Sequence, residues 1–128
     1  MNEKILIIDD DEEMCEELAE ILKAEGYHVN FSISGIAGYN LFKENPYDLI
    51  ILDLKLPDVR GIEILENIKN RRPAQKVLVL SGKPLGTDIM DPADLQSDRE
   101  VLYKMADVLL NKPVKPEFLL EKVKGFKK

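Results

Sequence analysis

The chain has 128 residues, 24 acidic against 18 basic side chains, a net charge of -6 and 45 % hydrophobic content. That is the size of one domain able to bury a core, and its negative charge runs against a nucleic-acid partner, which needs clustered Lys and Arg. A single cysteine, Cys15, forbids an intrachain disulfide, and a single histidine, His28, leaves no ordinary zinc ligand set. No apolar run reaches the length of a membrane span or a secretory leader, so a reducing, cytoplasmic setting with no membrane partner is expected.

In chain order, "ILII" at 5–8 reads as a first strand, and five consecutive carboxylates follow it in "IIDDDEE". Asp11, Glu12 and Glu13 suit the positive end of a helix dipole and start a first helix. Leu18, Ile21 and Leu22 form its inward stripe, and Gly26 closes it. A second strand is expected over "HVNFSI" at 28–33, then Ser34 and a helix in which Tyr39 and Phe42 pack together. "LIIL" at 49–52 is a third strand ending at Asp53; Ile64, Leu65 and Ile68 face inward on the next helix, which stops before Pro73. "VLVL" at 77–80 is a fourth strand, followed by Ser81. The "DP" at Asp91 and Pro92 supplies an N-cap and a first-turn proline for a helix reaching Ala106, with Leu95, Leu102 and Met105 inward. "VLL" at 108–110 is a fifth strand, and a last helix begins near Pro116 with Phe118, Leu119 and Val123 inward.

Three of the five strands are apolar on consecutive positions, as expected for a parallel sheet covered on both faces by helices. Alternation of strands and helices then predicts an open, doubly wound α/β sheet forming a single domain over residues 1–128. Ligands of such sheets bind in the crevice beyond the carboxyl ends of the strands. The residues just past the strands are Asp9 and Asp10, Ser34, Asp53, Ser81 and Lys112.

Carboxylates brought together repel one another unless a cation neutralises them. Mg²⁺ suits this set, because it takes oxygen ligands, keeps several waters and pairs carboxylates with phosphate oxygens. No glycine-rich phosphate loop follows the first strand, so a nucleotide is not the evident phosphate source. A carboxylate can itself be the nucleophile and form an aspartyl phosphate, with a hydroxyl and a lysine holding the phosphoryl oxygens.

Through "IIDDDEE", "LIILDLKLPDVRG", "VLVLSG" and "LLNKP", each at the end of its strand, the chain resembles the receiver domains of two-component response regulators, of the CheY-like single-domain type. The resemblance implies a flavodoxin-like (βα)5 sheet with strand order 2-1-3-4-5. It implies that Asp53 accepts a phosphoryl group from a phosphohistidine on a sensor kinase or phosphotransfer protein. Asp9, Asp10, Asp53 and the backbone carbonyl of Lys55 would hold Mg²⁺, and Ser81 and Lys112 would contact the phosphoryl group. Pro57, Gly61 and Pro113 match the family's loops. Such a domain is a switch, not a turnover enzyme, and its output would pass to a downstream protein at the face made by the fourth helix, fifth strand and fifth helix.

Two positions depart from the family. Leu109 stands where receivers usually carry Tyr or Phe, and it cannot make the aromatic swing that reports phosphorylation. "SGKPLGTDIMDPADL" lengthens the loop after Ser81. Two other readings compete: a phosphatase resembling the haloacid dehalogenases, with Asp9 and Asp11 as its Asp-x-Asp pair, and a degenerate receiver acting as a phosphorylation-independent binding module. Lys55 and Lys83 either tune hydrolysis of the phosphoryl group or are simply solvated. Cys15 is expected to be inert, its acidic neighbours raising its pKa, and His28 to lie on the surface.

Overall fold

A computed structural model of the chain describes residues 3–82 and 100–126. The elements run β1 (Lys4–Ile8), α1 (Glu12–Ala24), β2 (His28–Ser32), α2 (Gly35–Glu44), β3 (Leu49–Asp53), α3 (Gly61–Arg71), β4 (Lys76–Ser81), the helical residues 100–105 as α4, β5 (Val108–Asn111) and α5 (Pro116–Lys124). All pairings are parallel and the order is β2-β1-β3-β4-β5, the expected doubly wound arrangement.

The consecutive apolar runs are explained by the two-residue period of a strand with both faces covered. Leu6, Ile8, Ile50, Leu52, Val77 and Val79 point to one side, where they pack with Phe42 of α2, Ile64, Leu65 and Ile68 of α3, and Leu102 of α4. Ile5, Ile7, Leu49, Ile51, Leu78 and Leu80 point to the other, against Cys15, Leu18 and Leu22 of α1 and Leu119 and Val123 of α5. Two cores on one sheet fix the strand ends at a common level.

Local signals act where the sequence places them. Asp11 is the N-cap of α1 and accepts the Met14 amide at 3.1 Å, with Glu12 and Glu13 in the first turn. After the C-cap Glu25, Gly26 turns the chain with φ 96°, in the left-handed region that glycine enters without strain. Tyr39 and Phe42 pack as expected, with ring centroids 5.6 Å apart.

Two expectations are corrected. β2 ends at Ser32, leaving Ile33 outside it and 44 % exposed. Phe118 does not face the core: Leu119 and Val123, four apart, take the inward side of α5, and Phe118 is 44 % exposed beneath the Lys122 ammonium, 5.2 Å from its ring. Lys83, Asp91, Pro92, Leu95 and the long loop after Ser81 lie outside the described residues. Among the described residues, no helix is long and apolar enough to cross a membrane.

Candidate functional site

β1 and β3 are hydrogen-bonded neighbours in the register Ile8↔Leu52, so their next residues, Asp9 and Asp53, leave the sheet side by side. Asp9 is fully buried and Asp53 is 2 % exposed, whereas Asp10 turns outward. One carboxylate oxygen from each of the three lies within 4.8 Å of the others.

Among the described residues, these acids are met by backbone amides and by one ammonium. Asp9 Oδ1 accepts the Asp11 amide at 2.9 Å, and Asp53 Oδ1 accepts the Lys55 amide at 3.3 Å. Lys112, just past β5, places Nζ 2.8 Å from Asp9 Oδ2 and 3.4 Å from Asp53 Oδ2. Asp9 Oδ2 is buried, with the Lys112 ammonium as its ion-pair partner. Burial, then the charge of Asp9, pushes the Asp53 carboxyl up to about 6, against the opposing pull of Lys112 and the Lys55 amide. Burial disfavours the charged Lys112, but Asp9 and Asp53 outweigh it and hold the ammonium above its ordinary pKa.

Ser81 ends β4 beside Asn111 of β5 and is 6 % exposed; its carbonyl accepts the Lys112 amide at 2.7 Å, setting the level of the lysine. A cleft of about 370 Å³ opens next to Lys112, lined by Met14, Leu80, Pro113, Val114 and Leu119 among others. Lys55 sits on the β3–α3 loop with its side chain exposed. The sites foreseen at Asp9, Asp10, Asp53, Ser81 and Lys112 thus converge at one end of the sheet.

The residues fit a hard divalent cation. Among the described residues, three carboxylates meet one ammonium, and their oxygens are the hard donors that such a cation takes. The exposed Asp10 leaves an open side for retained water, as Mg²⁺ prefers.

Other residues fall outside the site. Ser34 is spent as the N-cap of α2, accepting the Ala37 amide at 3.1 Å and donating to Asp58 Oδ2 at 2.8 Å. Asp11 is likewise occupied as a cap, which deprives the phosphatase reading of its second carboxylate. Cys15 is buried with its thiol pushed up to about 12; burial dominates, and Asp9 adds more than the flanking acids do. His28 is exposed at the start of β2. Leu109 is half-buried in the core opposite Val79. Sequence reasoning missed Asp58, whose partners lie more than twenty residues away along the chain. The only advance signal was an acid in a loop and a capping serine in need of an acceptor.

Fold and site together define an α/β domain that sets the buried Asp53 carboxylate among two further acids and a lysine at the carboxyl end of the sheet. A family model of the response regulator receiver domain matches residues 5–124, and the chain belongs to that family. Its members accept a phosphoryl group in two-component signalling rather than turning over a substrate. The uncharacterized transcriptional regulatory protein YclJ of Bacillus subtilis is 31 % identical over 123 residues, 95 % of this chain and 49 % of YclJ. The chain therefore spans about half the length of that relative. Among solved structures, a CheY-like response regulator receiver domain protein from Methanospirillum hungatei JF-1 matches with TM-score 0.84 and 30 % identity, over 98 % of this chain and 93 % of that one. The BeF3-activated DrrB receiver domain matches with TM-score 0.75 and 32 % identity, over 98 % and 97 % of the two chains.

Proposed function

We propose that residues 1–128 form a single receiver domain in which Asp53 is the phosphoacceptor, taking its phosphoryl group from a phosphohistidine on a sensor kinase or phosphotransfer protein. The observation that carries this reading is the position of Asp53: buried, beside Asp9, and 3.4 Å from the Lys112 ammonium. An Asp53 carboxylate oxygen attacks phosphorus, the O–P bond forms as the P–N bond to the donor imidazole breaks, and the imidazole leaves with the electron pair.

Each neighbour has a task in that transfer. Asp9, Asp10, Asp53 and the Lys55 carbonyl would hold Mg²⁺, which when bound supplies charge neutralisation at the phosphoryl oxygens. Lys112 moves from neutralising two carboxylates to holding a phosphoryl oxygen, and the Ser81 hydroxyl holds another. The cleft beside Lys112 is the side from which a donor protein approaches. Output passes through the face of α4, β5 and α5, where Tyr103 is 74 % exposed. With Leu109 in place of an aromatic residue, the signal reaches that face by packing changes and not by a ring rotation.

The expected lack of a nucleic-acid partner concerns the acidic charge of these 128 residues alone, since YclJ is named a transcriptional regulatory protein and is about twice as long. A cytoplasmic location fits a phosphodonor of this kind. The test is to incubate the protein with Mg²⁺ and beryllofluoride or a small acyl phosphate and locate the adduct by mass spectrometry and NMR. Modification at Asp53, absent in Asp53→Asn, is expected. No adduct at saturating Mg²⁺ would favour a phosphorylation-independent binding module instead.

A further inference from the structure

From the way α2 is anchored at both ends of the metal site, we infer that Asp58 is a positioning residue for that site, clamping the loop that carries Lys55. The inference rests on the assignment of the Lys55 carbonyl as a metal ligand.

The loop between β3 and α3 is fixed at its base by backbone. The Leu54 amide donates to the Leu80 carbonyl at 3.0 Å and the Gly61 amide to the Leu54 carbonyl at 3.1 Å. Gly61 approaches so closely that a Cβ there would lie 2.4 Å from Leu54 Cα. Between these points the Lys55 amide donates to Asp53 Oδ1 at 3.3 Å, and Asp58 ties the loop to α2. Asp58 Oδ1 accepts the Gly35 amide at 2.9 Å, and its Oδ2 accepts the Ile36 amide at 3.0 Å and the Ser34 hydroxyl at 2.8 Å. These bonds to the start of α2 draw the carboxyl down to about 2. Val59 and Leu56 pack on the same spot: a Cβ on Gly35 would meet Val59 Cγ1 at 2.5 Å and Leu56 Cδ1 at 3.0 Å.

α2 is in turn seated on the strand that carries Asp9. A Cβ on Gly38 would lie 2.7 Å from Ile8 Cγ1, and Ile8 immediately precedes Asp9. One helix therefore references two sides of the cation site, the β1 acids through Gly38 and the Lys55 loop through Asp58. Asp58 touches neither metal nor phosphoryl group; it sets where a carbonyl ligand stands, as outer groups around metal sites do.

The test compares Mg²⁺ affinity by isothermal titration with thermal melting in Asp58→Ala, Asp58→Asn and Ser34→Ala. Asp58→Ala is expected to bind Mg²⁺ about tenfold more weakly, with faster hydrogen exchange at the Gly61 amide. Ser34→Ala loses a helix cap and melts about 3–6 °C lower, yet keeps its Mg²⁺ affinity within about twofold, because Asp58 retains two amide donors. If Asp58→Ala does not fold, Asp58→Asn carries the test with an intermediate loss of affinity. Asp58 variants that bind Mg²⁺ as the parent does, or an affinity loss in Ser34→Ala that matches theirs, would overturn the clamp alone. A parent protein that fails to bind Mg²⁺ would overturn the metal site and the clamp together.

Discussion

The Lys112 ammonium stands closer to Asp9, at 2.8 Å, than to the proposed phosphoacceptor Asp53, at 3.4 Å. The lysine is thus the counter-ion of two carboxylates from neighbouring strands, a task that Mg²⁺ at the proposed site would share.

Mg²⁺ should stabilise the fold measurably. At a hundred times its dissociation constant a ligand adds about 2.7 kcal/mol, which in a domain of this size raises the melting temperature by about 10 °C. Asp10→Ala should lose most of that rise while melting close to the parent in EDTA, because Asp10 is exposed and its carboxylate matters only when a cation is present. An unchanged Mg²⁺ response in Asp10→Ala, read by differential scanning calorimetry, would place the metal elsewhere.

Removing the lysine should do the reverse. Lys112→Met leaves Asp9 and Asp53 uncompensated, and breaking a wholly buried pair costs about 3–5 kcal/mol. With the lysine side chain 25 % exposed, a loss of about 2 kcal/mol in EDTA is expected. The Mg²⁺-induced rise in melting temperature should then exceed that of the parent, since the cation replaces more of the missing charge. A smaller rise would show that Lys112 aids metal binding and does not compete with it.

Asp53 should make the metal-free protein less stable as pH rises. Its carboxyl is raised from 3.8 to about 6 in the fold, so the native state holds that proton more tightly than the unfolded chain does. Between about pH 4 and 6 the unfolded chain binds fewer protons, and stability falls with rising pH across that window, the penalty being complete above it. Asp53→Asn removes the ionisable group. In EDTA it should melt above the parent at about pH 7.5, with the gap closing towards about pH 4. A gap independent of pH would mean that packing, not charge, separates the two proteins.

The glycines of the two loops should differ sharply. Gly61→Ala would put a Cβ 2.4 Å from Leu54 Cα and 2.8 Å from the Asp53 carbonyl oxygen, a collision with backbone that no rotamer relieves. A loss of about 3 kcal/mol in urea unfolding is expected. At Gly82 a Cβ meets nothing within 4 Å among the described residues, and Gly82→Ala should change stability by no more than about 0.5 kcal/mol. Equal effects at the two positions would contradict the close packing of the β3–α3 loop.

The sequence was most readable where the physics is local. Asp11 as a cap, Gly26 as a helix stop and the strands at "ILII", "LIIL" and "VLVL" follow from propensity, dipole and period, and each falls where the sequence places it. Readings failed where two local choices were equally good. Phe118 and Leu119 are adjacent and apolar, and only the sheet's position decided which one turned inward. The Cys15 thiol was expected to be raised by its acidic neighbours, and burial raises it more than they do.

The sequence by itself determined the alternation of strands and helices and the residues that follow each strand, because hydrophobic period and end signals are written in neighbouring positions. Parallel pairing then carried Asp9, Asp10, Asp53, Ser81 and Lys112 to one end of the sheet. Only the tertiary structure decided how they divide the charge: that Asp9 is wholly buried, that Lys112 leans towards it, and that Ser34 serves Asp58 and not the site. Burial and ångström-scale separation set those outcomes, and neither is encoded in the spacing of residues along a chain.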